Sequence, residues 1–165
     1  MLGRRLPRHL TLVLAGAVCC PLCVAGCGGS TPLDVHAPAL NGTGATTCDA
    51  LIRDLPDTVM DQGRRDVSPS PSPGAASGAA WGDPPIVLRC GVGRPTGLTR
   101  SSRCDMVDDV GWFSRRRGDG WVFTTIGRAV YVELVVPGSY SPAANALADV
   151  ASAVSGAVAV KRPCV

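Results

Sequence analysis

Apolar and polar positions alternate most clearly in the C-terminal third of the chain. Val130, Val132, Leu134 and Val136 alternate with Tyr131 and Glu133, a period of two that predicts a strand with one face covered and the other partly wet. Residues 121–126 predict a second strand, joined to the first through Gly127-Arg128. Upstream, the β-branched run 85–90 is bounded by proline and Gly91, and 105–113 predicts a further strand bulged at Gly111. The stretch from Arg115 to Gly120 predicts a polar hairpin turn.

Helical spacing occurs twice. Cys48, Leu51, Ile52 and Leu55 share one face, the Thr-x-x-Asp spacing of Thr46 and Asp49 predicts the helix start, and Pro56 ends the run. Leu147, Val150, Ala151, Val154 and Val158 form a stripe behind Ser141-Pro142, which predicts an N-cap and a first helical residue. Lys161 and Arg162 follow, where a helix dipole favours cations. These elements predict an α+β two-layer sandwich: a four-stranded antiparallel meander with two helices packed on one face.

The remaining pattern sets the boundaries. Arg4, Arg5 and Arg8 precede an apolar run from Leu10 to Gly26, and Val24-Ala25-Gly26-Cys27 closes it. A basic n-region before an apolar h-region marks an export signal over 1–26. Small residues leading into cysteine resemble the lipobox of bacterial lipoproteins. That resemblance implies a diacylglyceryl thioether on Cys27, which would hold the chain to membrane lipid. At 17 residues and with Pro21 inside it, the run is at the short limit for a retained membrane helix. Residues 27–46 are rich in Gly, Thr, Pro and Ala without apolar periodicity, so they predict a flexible tether. Residues 47–165 predict a single α+β domain, with a disordered Ser/Pro/Gly-rich surface loop at about 67–79.

Charge changes the picture by what it removes. The formal charge of +3 sits in the signal: without Arg4, Arg5 and Arg8 the 16 Lys+Arg become 13, against 13 Asp+Glu. A balanced mature chain lacks the sustained basic footprint that nucleic acid requires, so none is expected as a partner. Of 8 cysteines, Cys19, Cys20 and Cys23 leave with the signal and Cys27 goes to lipid. Cys48, Cys90, Cys104 and Cys164 remain, an even number in a chain bound for an oxidising compartment. Antiparallel pairing of 85–90 with 105–113 predicts Cys90–Cys104 and leaves Cys48–Cys164. No C-x-x-C remains after the signal and His36 is its one histidine, so neither a metal nor a cofactor is expected. The stretch Gly91 to Gly97 has the wrong spacing for a phosphate-cradling loop and contains Pro95.

The segment Trp81-Gly82-Asp83-Pro84-Pro85-Ile86-Val87-Leu88-Arg89-Cys90-Gly91 carries a resemblance. So do Leu55-Pro56-Asp57, Arg64-Arg65, Val110-Gly111-Trp112 and Phe123-Thr124-Thr125-Ile126-Gly127-Arg128. Together they are similar to a family of actinobacterial lipoproteins designated domain of unknown function 3515. The resemblance covers about 48–158, implies a secreted or membrane-tethered cell-envelope protein, and brings no catalytic residues.

Trp81, Asp83, Arg89 and Arg128 are the candidate ligand-binding residues, as an indole floor, a carboxylate and two guanidinium groups lining one groove. The competing reading is packing: Gly82 and Pro84 as turn residues, Trp81 at a core edge, Asp83 in a surface pair. Arg64-Arg65 and Arg115 to Arg117 read as solvated turn charges or as contacts for lipid head groups and wall phosphates. Asp105, Asp108 and Asp109 lack the glycine and distal glutamate of a Ca²⁺ loop. No Ser/His/Asp set or thiol–His pair is present. The expected function is a membrane-anchored, non-catalytic binding or accessory module for an envelope ligand or envelope protein, on the extracytoplasmic face of the membrane. The alternative is an envelope-acting hydrolase or transferase using Asp83 or the aspartates around Asp108. A binding role predicts an exposed aromatic patch near Trp81 and Trp112.

Overall fold

The computed structural model describes residues 31–69 and 78–164. The signal, Cys27 and the 70–77 part of the Ser/Pro/Gly loop lie outside them. In chain order the elements are β1 (Leu33–Asp34), α1 (Gly42–Asp54), β2 (Thr58–Val59), β3 (Gln62–Arg65), β4 (Val67–Ser68), β5 (Gly78–Trp81), β6 (Ile86–Val92), β7 (Asp105–Val107), β8 (Val110–Arg117), β9 (Gly120–Thr125), β10 (Tyr131–Val136) and α2 (Asn145–Ala157).

The fold is α+β, with two helices and an eight-stranded sheet in the order β2-β3-β5-β6-β10-β9-β8-β7. Every neighbouring pair in it is antiparallel, whereas β1 and β4 pair in parallel beside it. The expected four-stranded meander is not what forms. The 105–113 segment is two strands, β7 and β8, joined by Asp108-Asp109 at φ of 43° and 64°, the left-handed pair that a two-residue hairpin turn demands. The basic turn contracts to Gly118-Asp119, with Arg115 to Arg117 inside β8.

Strand β6 pairs with β10, Leu88 opposite Leu134, and not with the strand that follows it. Hydropathy explains the exchange. β6 and β10 carry the most regular apolar alternation and take the centre, while β8, ending in three arginines, lies near an edge where charge is tolerated.

This order also corrects the disulfides. Cys90 on β6 points toward α1 and bonds Cys48, while Cys104, just before edge strand β7, bonds Cys164 in the C-terminal tail. Both Cα–Cα separations, 5.6 and 6.1 Å, suit a disulfide. The expected Cys90–Cys104 and Cys48–Cys164 pairs required β6 beside β7, and three strands, β10, β9 and β8, lie between them.

Both helices cover the face formed by Ile86, Leu88, Cys90, Val132, Leu134 and Val136, as the stripe of α2 required. On the opposite face β1 and β4 lay Leu33, Val35 and Val67 over Ala80 and Val87, a partial third layer. From Leu33 onward, then, the segment expected as a tether to Thr46 is built into the fold. Its apolar residues lack a period because each meets a different partner. Leu40 fills the space above Gly91 (φ +81°), where a Cβ would collide with it.

Helix α1 begins at Gly42, and Thr46 lies inside it with its hydroxyl donating to the Gly42 and Thr43 carbonyls at 3.2 Å. Ser141 does not cap α2. Residues 142–147 wind in as i→i+3 turns, while the Tyr140 hydroxyl ties the approach to Pro84. Val67, Ser68, Gly78 and Ala79, expected in the surface loop, are strand residues. Among the described residues no helix is long and apolar enough to cross a membrane.

Candidate functional site

The four candidate ligand-binding residues are not brought together. Trp81 is fully buried on the helix face, its Nε1 donating to the Pro56 carbonyl at 3.1 Å. Arg89 alternates to the opposite face of β6, paired across the strands with Glu133. Asp83 stands 92% exposed in the β5–β6 turn, 3.8 Å from Arg65. Arg128 is buried beyond the end of β9. Among the described residues, none of the five main clefts contains two of the four. Trp112 is also fully buried, so the aromatic patch expected around Trp81 and Trp112 is interior.

The motif segments converge instead on two structural knots. In the first, Arg64 donates through Nη1 to the Leu55 carbonyl (3.2 Å) and through Nη2 to that of Ile52 (2.9 Å), with its guanidinium over the Trp81 ring. It thereby satisfies the free carbonyls at the end of α1. Arg65 donates to the Gly82 carbonyl, and the Gly82 N–H to Gly63.

In the second knot, Arg128 Nη1 donates to the carbonyls of Val158 (2.6 Å) and Val154 (3.4 Å) at the end of α2, and Nη2 to that of Asp109 (2.8 Å). Lys161 and Arg162, expected at that dipole, leave it to Arg128. Burial pushes the Arg128 guanidinium below its ordinary pKa, and the nearby Asp109 charge opposes that shift. The two arginines close the two helices in the same way. Neither role has a local sequence signal, since each arginine is far in sequence from at least part of what it holds.

The surface facing outward from the second knot is the candidate site. A cleft of about 420 Å³ opens between the 93–104 loop, the 126–128 turn and the C-terminal tail. Arg94, Arg100, Arg128, Lys161 and Arg162 line it, with Tyr131 and buried Leu98, and among the described residues no carboxylate does. The backbone N–H groups of Lys161 and Arg162 donate to the Gly127 carbonyl at 2.7 and 2.9 Å. Gly127 has φ +69°, and a Cβ there would strike the Arg162 carbonyl. The Cys104–Cys164 bond joins the loop's end to the tail. Sequence reasoning missed this cleft because its cations lie in three separate segments and none falls in a charge run longer than two.

A second, apolar groove lies where Trp121 and Phe123, stacked at 6.0 Å, meet Pro142, Ala143 and Leu147 below Val107. Arg116 covers the Trp121 ring at 5.1 Å. His36 is exposed and 3.1 Å from Asp34. Among the described residues, no group of three His, Cys, Asp or Glu side chains is placed to hold a metal.

An α+β domain closed by two disulfides is the product of an oxidising, extracytoplasmic environment. Residues 9–163 match the family model described as Protein of unknown function (DUF3515), and the chain belongs to that family. Neither a curated protein nor a solved structure matches it.

Proposed function

We propose that this protein is a lipoprotein anchored through acylated Cys27 on the outer face of the cytoplasmic membrane of an actinobacterium. There its domain serves as a non-catalytic binding module for an envelope component. The observation that carries the binding reading is the cleft, whose lining offers five cations, hydroxyl groups and a phenol and, among the described residues, no carboxylate, imidazole or free thiol. Such a set attracts and orients an anion. The aspartates of the hydrolytic alternative are dispersed: Asp83 stands in solvent, Asp108 and Asp109 form a turn, and Asp105 accepts from Ser114 at 2.7 Å and pairs with Arg103.

Two measurements test this. Intact-mass analysis of the membrane fraction should find a diacylglyceryl adduct on Cys27, absent in Cys27→Ser; an unmodified thiol there removes the anchor. Asp83→Asn and Asp108→Asn, the latter suited to its left-handed turn, should fold and leave the envelope phenotype of a deletion strain fully complemented. Loss of complementation by either folded variant would restore the hydrolase reading.

A further inference from the structure

We propose that the cleft between the 93–104 loop, the 126–128 turn and the C-terminal tail binds phosphate groups, as borne by envelope polymers or anionic lipid heads. The proposal rests on the binding reading above and names its ligand chemistry. After the signal the chain holds 13 basic and 13 acidic residues, yet five of those basic residues and none of the acidic ones line this cleft. Structural duty accounts for Arg128 and leaves the other four. Arg53, Arg65, Arg89 and Arg103 face carboxylates, and Arg64 and Arg128 hold carbonyls at helix ends. Among the described residues Arg94, Arg100, Lys161 and Arg162 enter no salt bridge, a condition shared only with Arg115, Arg116 and Arg117 along β8 outside the cleft and with the carbonyl-bound Arg64 and Arg128. Asp105 is engaged by Arg103 and Ser114, and the Asp109 backbone carbonyl accepts from Arg128. Like charges gathered this way repel one another, and a bound anion relieves that repulsion.

Geometry favours phosphate over a single carboxylate. Guanidinium groups placed on separate walls offer donors to a tetrahedral anion with several acceptor oxygens. The walls are also fixed in advance, which lowers the ordering cost of binding. The tail is held by the Cys104–Cys164 bond and the Gly127 carbonyl. The loop is held by buried Leu98 and by the Thr99 N–H donating to Ser102 Oγ at 2.8 Å. The volume of about 420 Å³ lies in the usual range for small-ligand sites, ~300–1,000 Å³.

The test is calorimetric titration of the full-length acylated protein, in neutral-detergent micelles, with sn-glycerol 3-phosphate. Saturable one-to-one binding is expected, at least fivefold tighter than for succinate of equal charge. The pair Arg94→Gln/Arg100→Gln should weaken it at least tenfold and Lys161→Gln alone at least threefold. Arg53→Gln/Arg117→Gln, removing as much charge elsewhere, should change it less than twofold. Phosphatidylglycerol doped into the micelles competes if lipid heads reach the cleft; without competition the carrier is a polymer or soluble phosphate, and either result supports the site. No saturable phosphate binding, equal affinity for succinate, or equal losses in the two double variants would overturn it. Acylation of Cys27 and the complementation results stand apart from these readouts, so the cleft can fail while the broader reading holds.

Discussion

At the scale of single residues, arginine does the work that the sequence appeared to give to tryptophan, aspartate and the terminal cations. Arg128 is buried and donates to three carbonyls from two segments; its removal would take the guanidinium donor from Val158 and Asp109, while the Val154 carbonyl keeps the Val158 N–H. Arg128→Met, which keeps much of the stem, should therefore destabilise the domain by roughly 2–4 kcal/mol. Arg128→Lys should lose less, because an ammonium still donates but cannot span both directions as a planar fork does. Urea unfolding of the three proteins checks the order, and a wild-type midpoint for Arg128→Met would show that the carbonyls find other partners. Local pattern marked Arg64 and Arg128 as notable residues and misjudged what they do. A guanidinium that closes a helix from elsewhere in the chain leaves no trace in the residues next to it.

At the scale of elements, the strands and helices were legible where one face is buried along a regular period. β6, β9, β10 and both helices fall where the apolar spacing puts them. Boundaries moved where side chains act over distance: α1 gained a turn before Thr46, and α2 begins at Asn145 beyond the Ser141-Pro142 signal. Partner choice was not legible, because alternation says which face of a strand is buried and not which strand lies beside it. The disulfides record that choice. Non-reducing peptide mapping should recover Cys48–Cys90 and Cys104–Cys164, and a Cys90–Cys104 peptide would return β6 to the side of β7. The bonds join residues 42 and 60 positions apart, and in the loop-entropy model each contributes about 4 kcal/mol. Against a net stability of roughly 5–15 kcal/mol, reduction should unfold most of the domain at 37 °C, as circular dichroism with and without dithiothreitol would report.

At the scale of the whole molecule, the first strand begins close to the proposed anchor. An acylated Cys27 leaves five residues before Leu33, six steps of chain with a reach of at most ~22 Å. The face carrying β1 and β4 should therefore lie near the bilayer, with the helices turned outward. Nitroxide-labelled lipids should quench a fluorophore at Asp34→Cys at least twice as strongly as one at Ser152→Cys on α2, and equal quenching would mean a freely tumbling domain. The sequence by itself determined the α+β class, the strands with unbroken alternation, the buried stripe of α2, and the set of four cysteines in disulfides. Each of these depends on local period or on residue type alone, and needs no knowledge of what lies across the core. Only the tertiary structure decided the strand order, the cysteine partners, the incorporation of 33–46, and the cleft that gathers cations from three distant segments. Those outcomes depend on which burial of the whole chain is lowest in free energy, a choice made among remote surfaces and written in no single stretch.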